Sequence, residues 1–292
     1  MKDQTQTLDP ATLAHLKSWI GKSQTIDDRL TEAPVRAMSA TLDRDDPLPG
    51  PDTEIPPLWH WLYFLPHEKQ SHIGPDGHPK RGGFLPPVPL PRRMWAGGRL
   101  HWHAPLRVGD AVTRKSTVQS VEHKSGRSGE MVFVLVRHEV SNDRGVALTE
   151  EHDIVYRAAP KPGDPAPQPV AAERGAPWSR TIDADPVLLF RYSALTFNGH
   201  RIHYDRQYVV EEEGYPGLIV HGPLIATLLV DLVRRNAPHA CIERFDFKAV
   251  RPTFDRHPLK VNGVLSEDGS TVRLWAEDHA GWLTMTATAT LA

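Results

Sequence analysis

The segment Leu218–Arg235 constrains the fold more than any other part of the chain. Apolar residues lie almost all round the helix that its periodicity predicts: Leu224, Ile225, Leu228, Leu229, Leu232 and Val233. Arg234 and Arg235 follow at the C-terminal end, where positive charge interacts favourably with the helix dipole. A helix that is apolar on nearly every side must be covered by other structure. A curved antiparallel sheet rolled around the helix would provide that cover.

Strand-like runs recur in the same order in the two halves of the chain. The runs of the first half are Ala111–Val121, Met131–Val140 and Val146–Tyr156, and those of the second are Lys260–Leu265, Val272–Ala276 and Leu283–Leu291. Upstream of these runs, Arg99–Trp102 and Arg244–Phe247 occupy equivalent places. The shared order predicts duplication of one α+β unit.

A proline-rich stretch, Ala158–Pro169, lies between the two halves and is typical of a stiff, extended linker. We therefore predict an N-terminal domain of residues 1–158, a linker of residues 159–177 and a C-terminal domain of residues 178–292. Helices are predicted at Leu13–Ile20, at Pro34–Thr41 and from Pro186 to about Leu195, the last of them capped by Asp185.

Composition excludes several classes of protein. The 292 residues carry a formal net charge of −2, whereas a general nucleic-acid binder normally presents a basic face. The single cysteine, Cys241, cannot form an intrachain disulfide. No apolar run is long enough to span a membrane, and the N-terminus has no apolar signal region. A cytoplasmic protein is the expectation.

Two neighbouring segments carry the chemistry. Phe197–Asp205 concentrates polar and titratable side chains, and Val220–Leu224 begins the apolar helix with Gly222 and Pro223. The free backbone N–H groups of a helix N-terminus can stabilise a developing negative charge. A base beside such a site is what enolate chemistry on a thioester needs.

The stretch from Asn198 to His203 resembles the hydratase motif of the MaoC-like (R)-specific enoyl-CoA hydratases and dehydratases. That motif is roughly Asp-x-Asn-Pro-x-His before the central helix of a "hot-dog" domain, so Asn198 stands at the Asp position and His203 at the His position. Asn198, and Arg201 where proline is usual, depart from the common form and are similar to the 3-methylfumaryl-CoA hydratase branch and to the type 2 hydroxyacyl-thioester dehydratases. Met94–Gly98 also resembles that branch.

The resemblance implies an α+β double hot-dog fold, in which two antiparallel sheets each wrap a central helix to form a pseudo-dimer within one chain. The second half would carry the chemistry. The first half would be a degenerate copy that shapes the acyl pocket. The expected reaction is reversible hydration of an enoyl-CoA thioester by a hydro-lyase, with 3-methylfumaryl-CoA converted to citramalyl-CoA as the favoured case.

Three residues are the expected catalytic set. The imidazole of His203 titrates near neutral pH and can both accept and donate a proton. Asn198 cannot ionise, but its amide can hold a water molecule. Gly222 would donate its N–H to the enolate oxygen, because glycine lets the thioester approach the backbone closely. Asn198 also fits an ordinary Asn-Gly turn, and Gly222 an ordinary helix start.

Basic residues are the expected substrate contacts, since guanidinium groups recognise carboxylates and phosphates. These candidates are Arg93, Arg99, Arg201 and His221. Asp205 and Tyr192 are the candidates for a second acid or base. The histidines at 67, 72 and 78 lie in a Gly- and Pro-rich stretch and are expected to be solvated. His101 and His103 lack further ligands nearby in sequence, so no metal site is expected.

Other functions stay open at the level of sequence. Within the same class, the alternatives are itaconyl-CoA hydratase and a dehydratase of longer 3-hydroxyacyl thioesters. Outside it, the alternatives are an acyl-CoA thioesterase and a non-catalytic acyl-CoA binder. No cofactor is expected beyond the CoA of the substrate. The expected partner is a small acyl-CoA, with no nucleic acid and no membrane, and two double hot dogs could pair as a homodimer.

Overall fold

The computed structural model describes residues 8–126, 129–158 and 168–292. The strands of these residues are β1 Ser23–Arg29, β2 Arg92–Trp102, β3 Ala111–Gly126, β4 Gly129–Asn142, β5 Gly145–Arg157, β6 Trp178–Ile182, β7 Ile242–Ala249, β8 Leu259–Leu265, β9 Thr271–Glu277 and β10 Leu283–Leu291. The α-helices are α1 Pro10–Lys17, α2 Glu32–Thr41, α3 Pro186–Leu195, α4 Arg206–Glu211 and α5 Gly222–Asn236. Short 3₁₀ turns lie at Trp59–Leu62, Gln70–His72 and Arg201–His203.

All these strands form one antiparallel sheet in the order β1-β3-β4-β5-β2-β7-β10-β9-β8-β6. From the middle outward, the first half runs β2, β5, β4, β3, β1, and the second runs β7, β10, β9, β8, β6. Equivalent strands therefore take equivalent places, and the predicted duplication of one α+β unit appears as a pseudo-twofold sheet. The expected two sheets are joined, because β2 pairs with β7 and Arg99 lies opposite Asp246.

Two glycines allow the close approach of β2 to β7. A methyl group added to Gly97 would lie 2.6 Å from the carbonyl oxygen of Phe247, and one added to Gly98 would lie 2.8 Å from the Phe247 ring. Contacts this short do not occur between real side chains, so the junction requires glycine at both positions. The arginine-rich stretch Arg92–Arg99 is therefore part of a strand at the centre of the sheet.

Helix α5 is the central helix of the second half. Residues 224–233 are all buried, and the helix packs against β6, β8, β9 and β10. Asp231, which is 1% exposed, is the charged residue on this buried surface. Its carboxylate contacts Arg44 at 2.6 Å, Arg180 at 3.0 Å and Arg235 at 2.7 Å. This ion cluster connects α5 to β6 and to the chain that follows α2.

The first half has no equivalent of α5 among the described residues. Between α2 and β2 it has only the two short 3₁₀ turns, the first of which buries Trp59 and Leu62 in the same core as α5. Prolines recur through this region, at positions 47, 49, 51, 56 and 57 before the turn. Proline removes a helical hydrogen bond and clashes with the preceding turn, so a long helix cannot form here. The degenerate half is therefore covered by irregular chain rather than by a central helix.

The linker falls partly outside the described residues, which omit 159–167. Ala171, in the described part of the linker, forms an isolated antiparallel β-bridge with Trp282. The proposed domain limits of 1–158 and 178–292 remain predictions. In the described part of the chain, no helix combines the length and the hydropathy that crossing a bilayer requires.

Candidate active site

His203 lies in a 3₁₀ turn at the end of the motif and is 7% exposed. Its Nδ1 is 2.7 Å from the carbonyl oxygen of Ile219, and the Ile219 N–H in turn donates to Ile202 at 3.0 Å. These bonds hold the two predicted segments together. Because the partner of Nδ1 is a carbonyl, Nδ1 carries the proton in the neutral ring. Nε2 keeps its lone pair and has no hydrogen-bond partner among the described residues.

Burial sets the charge of this imidazole. It lowers the pKa of His203 to about 4, against the opposing effect of the Ile219 carbonyl. The ring is therefore neutral at physiological pH. A neutral imidazole with a free Nε2 lone pair can accept a proton from water, so the geometry provides a general base.

His221 supports His203 from within the core. The two rings are stacked with centroids 3.7 Å apart, and Nε2 of His221 is 2.8 Å from the Ser193 hydroxyl. His221 is 1% exposed, and burial holds its pKa well below the usual range. Such burial leaves little of the ring exposed to a ligand, and the predicted substrate contact of His221 stays a prediction. His221 fixes the plane of the His203 ring.

Gly222 is the first residue of α5, which follows His221 directly. No atom outside the adjacent backbone lies within 4 Å of a methyl group built on Gly222. Its N–H has no acceptor among the described residues, and Pro223 has no N–H to compete with it. The positive end of the dipole of a 15-residue helix lies at this point. The Gly222 N–H is therefore a free donor at the positive end of the helix, where it could bind an oxyanion.

Asn198 follows α3, and its backbone N–H donates to Ser193 at 2.8 Å. The side-chain oxygen accepts a hydrogen bond from the His200 backbone N–H at 3.0 Å, as in an Asx turn. That oxygen is therefore committed to shaping the loop. The amide NH₂ group has no partner in the described residues and is the part of Asn198 that remains able to bind water.

A loop of the first half, Gly74–His78, packs directly on the motif. The Arg201 backbone N–H donates to Asp76 at 2.9 Å, and the Arg201 guanidinium donates to Pro75 at 3.0 Å. A methyl group on Gly77 would overlap the carbonyl oxygen of Gly199. The prediction that His78 is solvated is wrong, because this contact brings its ring against the motif.

Three ligand-type side chains meet where the loop contacts the motif. Asp76 Oδ2 lies 3.1 Å from His78 Nδ1, and the centroids of the His78 and His200 rings are 3.9 Å apart. Single ligand atoms of Asp76, His78 and His200 all lie within 4.8 Å of one another. His200 also meets His203 edge to face, with centroids 5.4 Å apart. Sequence reasoning missed this group, although His200 stands inside the motif.

Arg93 and Arg99 occupy different surroundings. Arg93 pairs with Tyr156 in the sheet, and its guanidinium lies beside that hydroxyl. Burial chiefly lowers the pKa of His200 to about 2, and the nearby charge of Arg93 contributes. No carboxylate forms an ion pair with Arg93 among the described residues. Arg93 is therefore a cation near the histidine group without a carboxylate at ion-pair distance among the described residues.

Arg99, by contrast, is 44% exposed and forms ion pairs with Glu151 at 2.7 Å and Asp153 at 2.8 Å. It lines a groove of about 860 Å³ together with Lys248 and Trp275, and none of the histidines described above lines that groove. Among the described residues that line this groove, none belongs to a helix N-terminus. Two carboxylates already pair with its guanidinium, so this arrangement does not favour a substrate contact at Arg99, which stays a prediction.

The remaining candidates have structural partners. The Asp205 carboxylate caps α4 through the Tyr208 N–H at 3.0 Å and pairs with Arg201 at 2.8 Å. The cap and the ion pair lower the pKa of Asp205, so it is ionised at neutral pH and cannot supply a proton. Arg201 is likewise committed to Asp205 and to the loop. Tyr192 is buried, its pKa is raised by burial, and its ring lies 5.0 Å from that of His221.

Comparisons with known proteins agree with this geometry. The sequence profile of hydroxyacyl-thioester dehydratase type 2 matches residues 58–255. The mesaconyl-C(4)-CoA hydratase of Chloroflexus aurantiacus is 44% identical over 277 residues, which cover 94% of this chain and 97% of that protein. The mitochondrial hydroxyacyl-thioester dehydratase type 2 of Schizosaccharomyces pombe is 26% identical over 86% of this chain and 92% of its own length.

Solved structures match the fold. A MaoC-like dehydratase superposes with a TM-score of 0.70 at 13% identity, covering 94% of this chain and 99% of the other. A Mycobacterium tuberculosis protein described as a double hotdog fold gives 0.57 at 14% identity, covering 94% and 96%. The predicted double hot-dog fold is confirmed. Together with the sequence matches, these findings show that the chain belongs to the MaoC-like hydratases, in the family of type 2 hydroxyacyl-thioester dehydratases.

Proposed function

We propose that this protein is a hydro-lyase that adds water reversibly to an enoyl-CoA thioester, with 3-methylfumaryl-CoA (mesaconyl-C(4)-CoA) as substrate and citramalyl-CoA as product. The observation that carries the proposal is a neutral His203, its Nε2 lone pair free, beside the open N-terminus of α5. The 44% identical Chloroflexus hydratase supports the choice of substrate.

In the proposed reaction, His203 is the only proton carrier. Nε2 takes a proton from water as the water oxygen bonds to the β-carbon of the enoyl group. The electron pair of the double bond moves to the thioester, and the Gly222 N–H and the α5 dipole stabilise the resulting enolate oxygen. Nε2 then returns its proton to the α-carbon on the same face. The Asn198 amide positions the water.

The alternative second acids are weaker candidates. Asp205 is ionised by its cap and its ion pair, and Tyr192 lies against His221 rather than against the His203 ring. If Asp205→Asn or Tyr192→Phe abolished turnover while folding and CoA-thioester binding survived, the single-carrier mechanism would be wrong.

Arg93 is the proposed partner of the free carboxylate of the acyl group. It is a cation without a carboxylate partner in the described residues, and it lies near His78 and His200. The first half would then contribute to the acyl pocket, as its degenerate form predicts. No metal or organic cofactor is proposed, because the thioester carbonyl already acidifies the α-carbon. A cytoplasmic enzyme and a homodimer of double hot dogs remain our expectations.

Incubation with 3-methylfumaryl-CoA, itaconyl-CoA and crotonyl-CoA tests the function. Loss of enoyl absorbance with formation of the hydroxyacyl-CoA supports a hydratase, and relative rates choose among the substrates. Release of free thiol would indicate a thioesterase, and neither signal would indicate a binder. The His203→Ala variant should lose at least about 10²-fold in turnover, the lower bound for a general acid–base group. Unchanged turnover in that variant would refute the assignment.

A further inference from the structure

We propose that His200 is a specificity residue that donates a hydrogen bond to a free carboxylate on the β-carbon of the acyl group, and that the loop Gly74–His78 holds it in place. This inference rests on the proposed function, but it concerns recognition rather than proton transfer. Its acyl ligand is a short dicarboxylic thioester, and its subsite is built from both halves of the chain.

The position of the subsite follows from the chemistry of the reaction. Water must reach the β-carbon from the Nε2 atom of His203, so that carbon lies next to His203. A carboxylate attached to the same carbon must then contact the side chains that surround the His203 ring. His200 meets that ring edge to face at 5.4 Å between centroids. Unlike the buried His221, His200 is only half-buried and is accessible to a ligand.

The surroundings of His200 suit an anion. Arg93 supplies a positive charge nearby without a carboxylate partner among the described residues. The one carboxylate in the group, Asp76, is already committed to His78, since Oδ1 accepts from the His78 backbone N–H at 3.0 Å and Oδ2 lies 3.1 Å from the ring nitrogen. A neutral imidazole N–H and a guanidinium can together bind both oxygens of a carboxylate.

The loop determines where His200 stands. The centroids of the His78 and His200 rings are 3.9 Å apart. The Asp76 carboxylate holds the His78 ring in place through its Nδ1 atom. Gly77 meets Gly199 so closely that no side chain fits between them. Asp76, Gly77 and His78 therefore act as positioning residues, because they touch His200 or its neighbour rather than the ligand.

Binding of two unreactive thioesters tests the subsite without relying on catalysis. Succinyl-CoA and butyryl-CoA differ only in a terminal carboxylate against a methyl group. By calorimetry, the wild-type protein should bind succinyl-CoA more tightly. In His200→Leu the ratio of the two affinities should fall about 10- to 100-fold, the range for one lost hydrogen bond to a charged group. His200→Gln, which keeps an N–H donor, should retain part of the preference.

The loop has a matched pair of variants. Gly77→Ala and Gly82→Ala each place alanine at positive φ, +88° and +92°, but only the first meets the backbone of the motif. Gly77→Ala should therefore reduce the succinyl-CoA preference, whereas Gly82→Ala should leave it unchanged. Equal effects of the two variants would mean that backbone strain, and not docking of the loop, is responsible.

Three outcomes would overturn the proposal. The first is equal binding of succinyl-CoA and butyryl-CoA by the wild-type protein. The second is an equal loss of both ligands in His200→Leu. The third is a stoichiometric divalent metal in the purified protein that Asp76→Asn and His78→Gln abolish, since these side chains would then be ligands. Failure of the hydration assay with an intact succinyl-CoA preference would instead refute the proposed function and leave the subsite supported.

Discussion

Protonation of His203 should cost both activity and stability, and the size of the cost follows from its burial. An ordinary histidine has a pKa near 6.5, whereas burial holds that of His203 at about 4. At 1.36 kcal/mol per pKa unit, the full difference corresponds to about 3 kcal/mol. Because the folded-state pKa is the lower one, the unfolded chain binds more protons between the two values. Stability therefore falls as pH decreases through this window.

For this one group, the free energy of unfolding should decrease by about 2 kcal/mol between pH 7.5 and pH 5. Urea unfolding followed by tryptophan fluorescence at several pH values measures that slope. His203→Gln should have a shallower slope than the wild type by this amount, whereas His72→Gln, at an exposed histidine, serves as the control. Parallel slopes for wild type and His203→Gln would show that His203 is not held neutral by burial.

The same argument predicts the pH profile of catalysis. The free base is needed for turnover, so kcat/KM should remain high down to about pH 5 and should fall as the pH approaches 4. A decline centred near pH 6.5 would mean that His203 is solvated in the free enzyme.

Three further outcomes follow from the contacts described above. Asn198→Ala should reduce kcat less than His203→Ala does, because it removes a water-positioning amide and not the proton carrier; a larger loss in steady-state kinetics would reverse the two roles. Arg93→Ala should reduce kcat/KM for 3-methylfumaryl-CoA by roughly a hundredfold relative to crotonyl-CoA. Arg99→Ala, which removes a guanidinium paired with Glu151 and Asp153, should change kcat/KM little and by the same factor for both substrates. Asp231→Ala should lower the free energy of unfolding by about 1–3 kcal/mol in chemical denaturation, since it removes the buried carboxylate that Arg44, Arg180 and Arg235 share; a change below about 0.5 kcal/mol would contradict this.

The elements with clear periodicity were predictable from sequence. The α3 limits, Pro186–Leu195, and the β10 limits, Leu283–Leu291, agree with their cap and strand patterns. The Asp185 side chain accepts from the Leu188 N–H at 2.8 Å, as a cap should. Local patterns are sufficient here because the hydrogen bonds that define these elements lie within a few residues or one hairpin.

Contacts across long stretches of sequence were not predictable. Nothing local to Asp76 or His78 shows that their loop meets Gly199, which lies more than a hundred residues later. The same holds for Arg99, whose partners, Glu151 and Asp153, come from the adjacent strand β5. The sequence around His221 also does not show that its ring is buried in the core. The site was therefore predictable where the motif is contiguous, and not where tertiary contacts complete it.

The β2–β7 junction has a consequence for how such a site can change over time. In a homodimer of identical hot-dog subunits, every substitution appears on both sides of the twofold axis, so a change that suits one position is imposed on its mate. Here the two sides are encoded separately, although the sheet keeps the symmetric order. One side could lose its central helix and use the freed chain as a loop against the other side's motif. Joining the subunits at the centre of the sheet thus permits one asymmetric pocket in place of two equal ones.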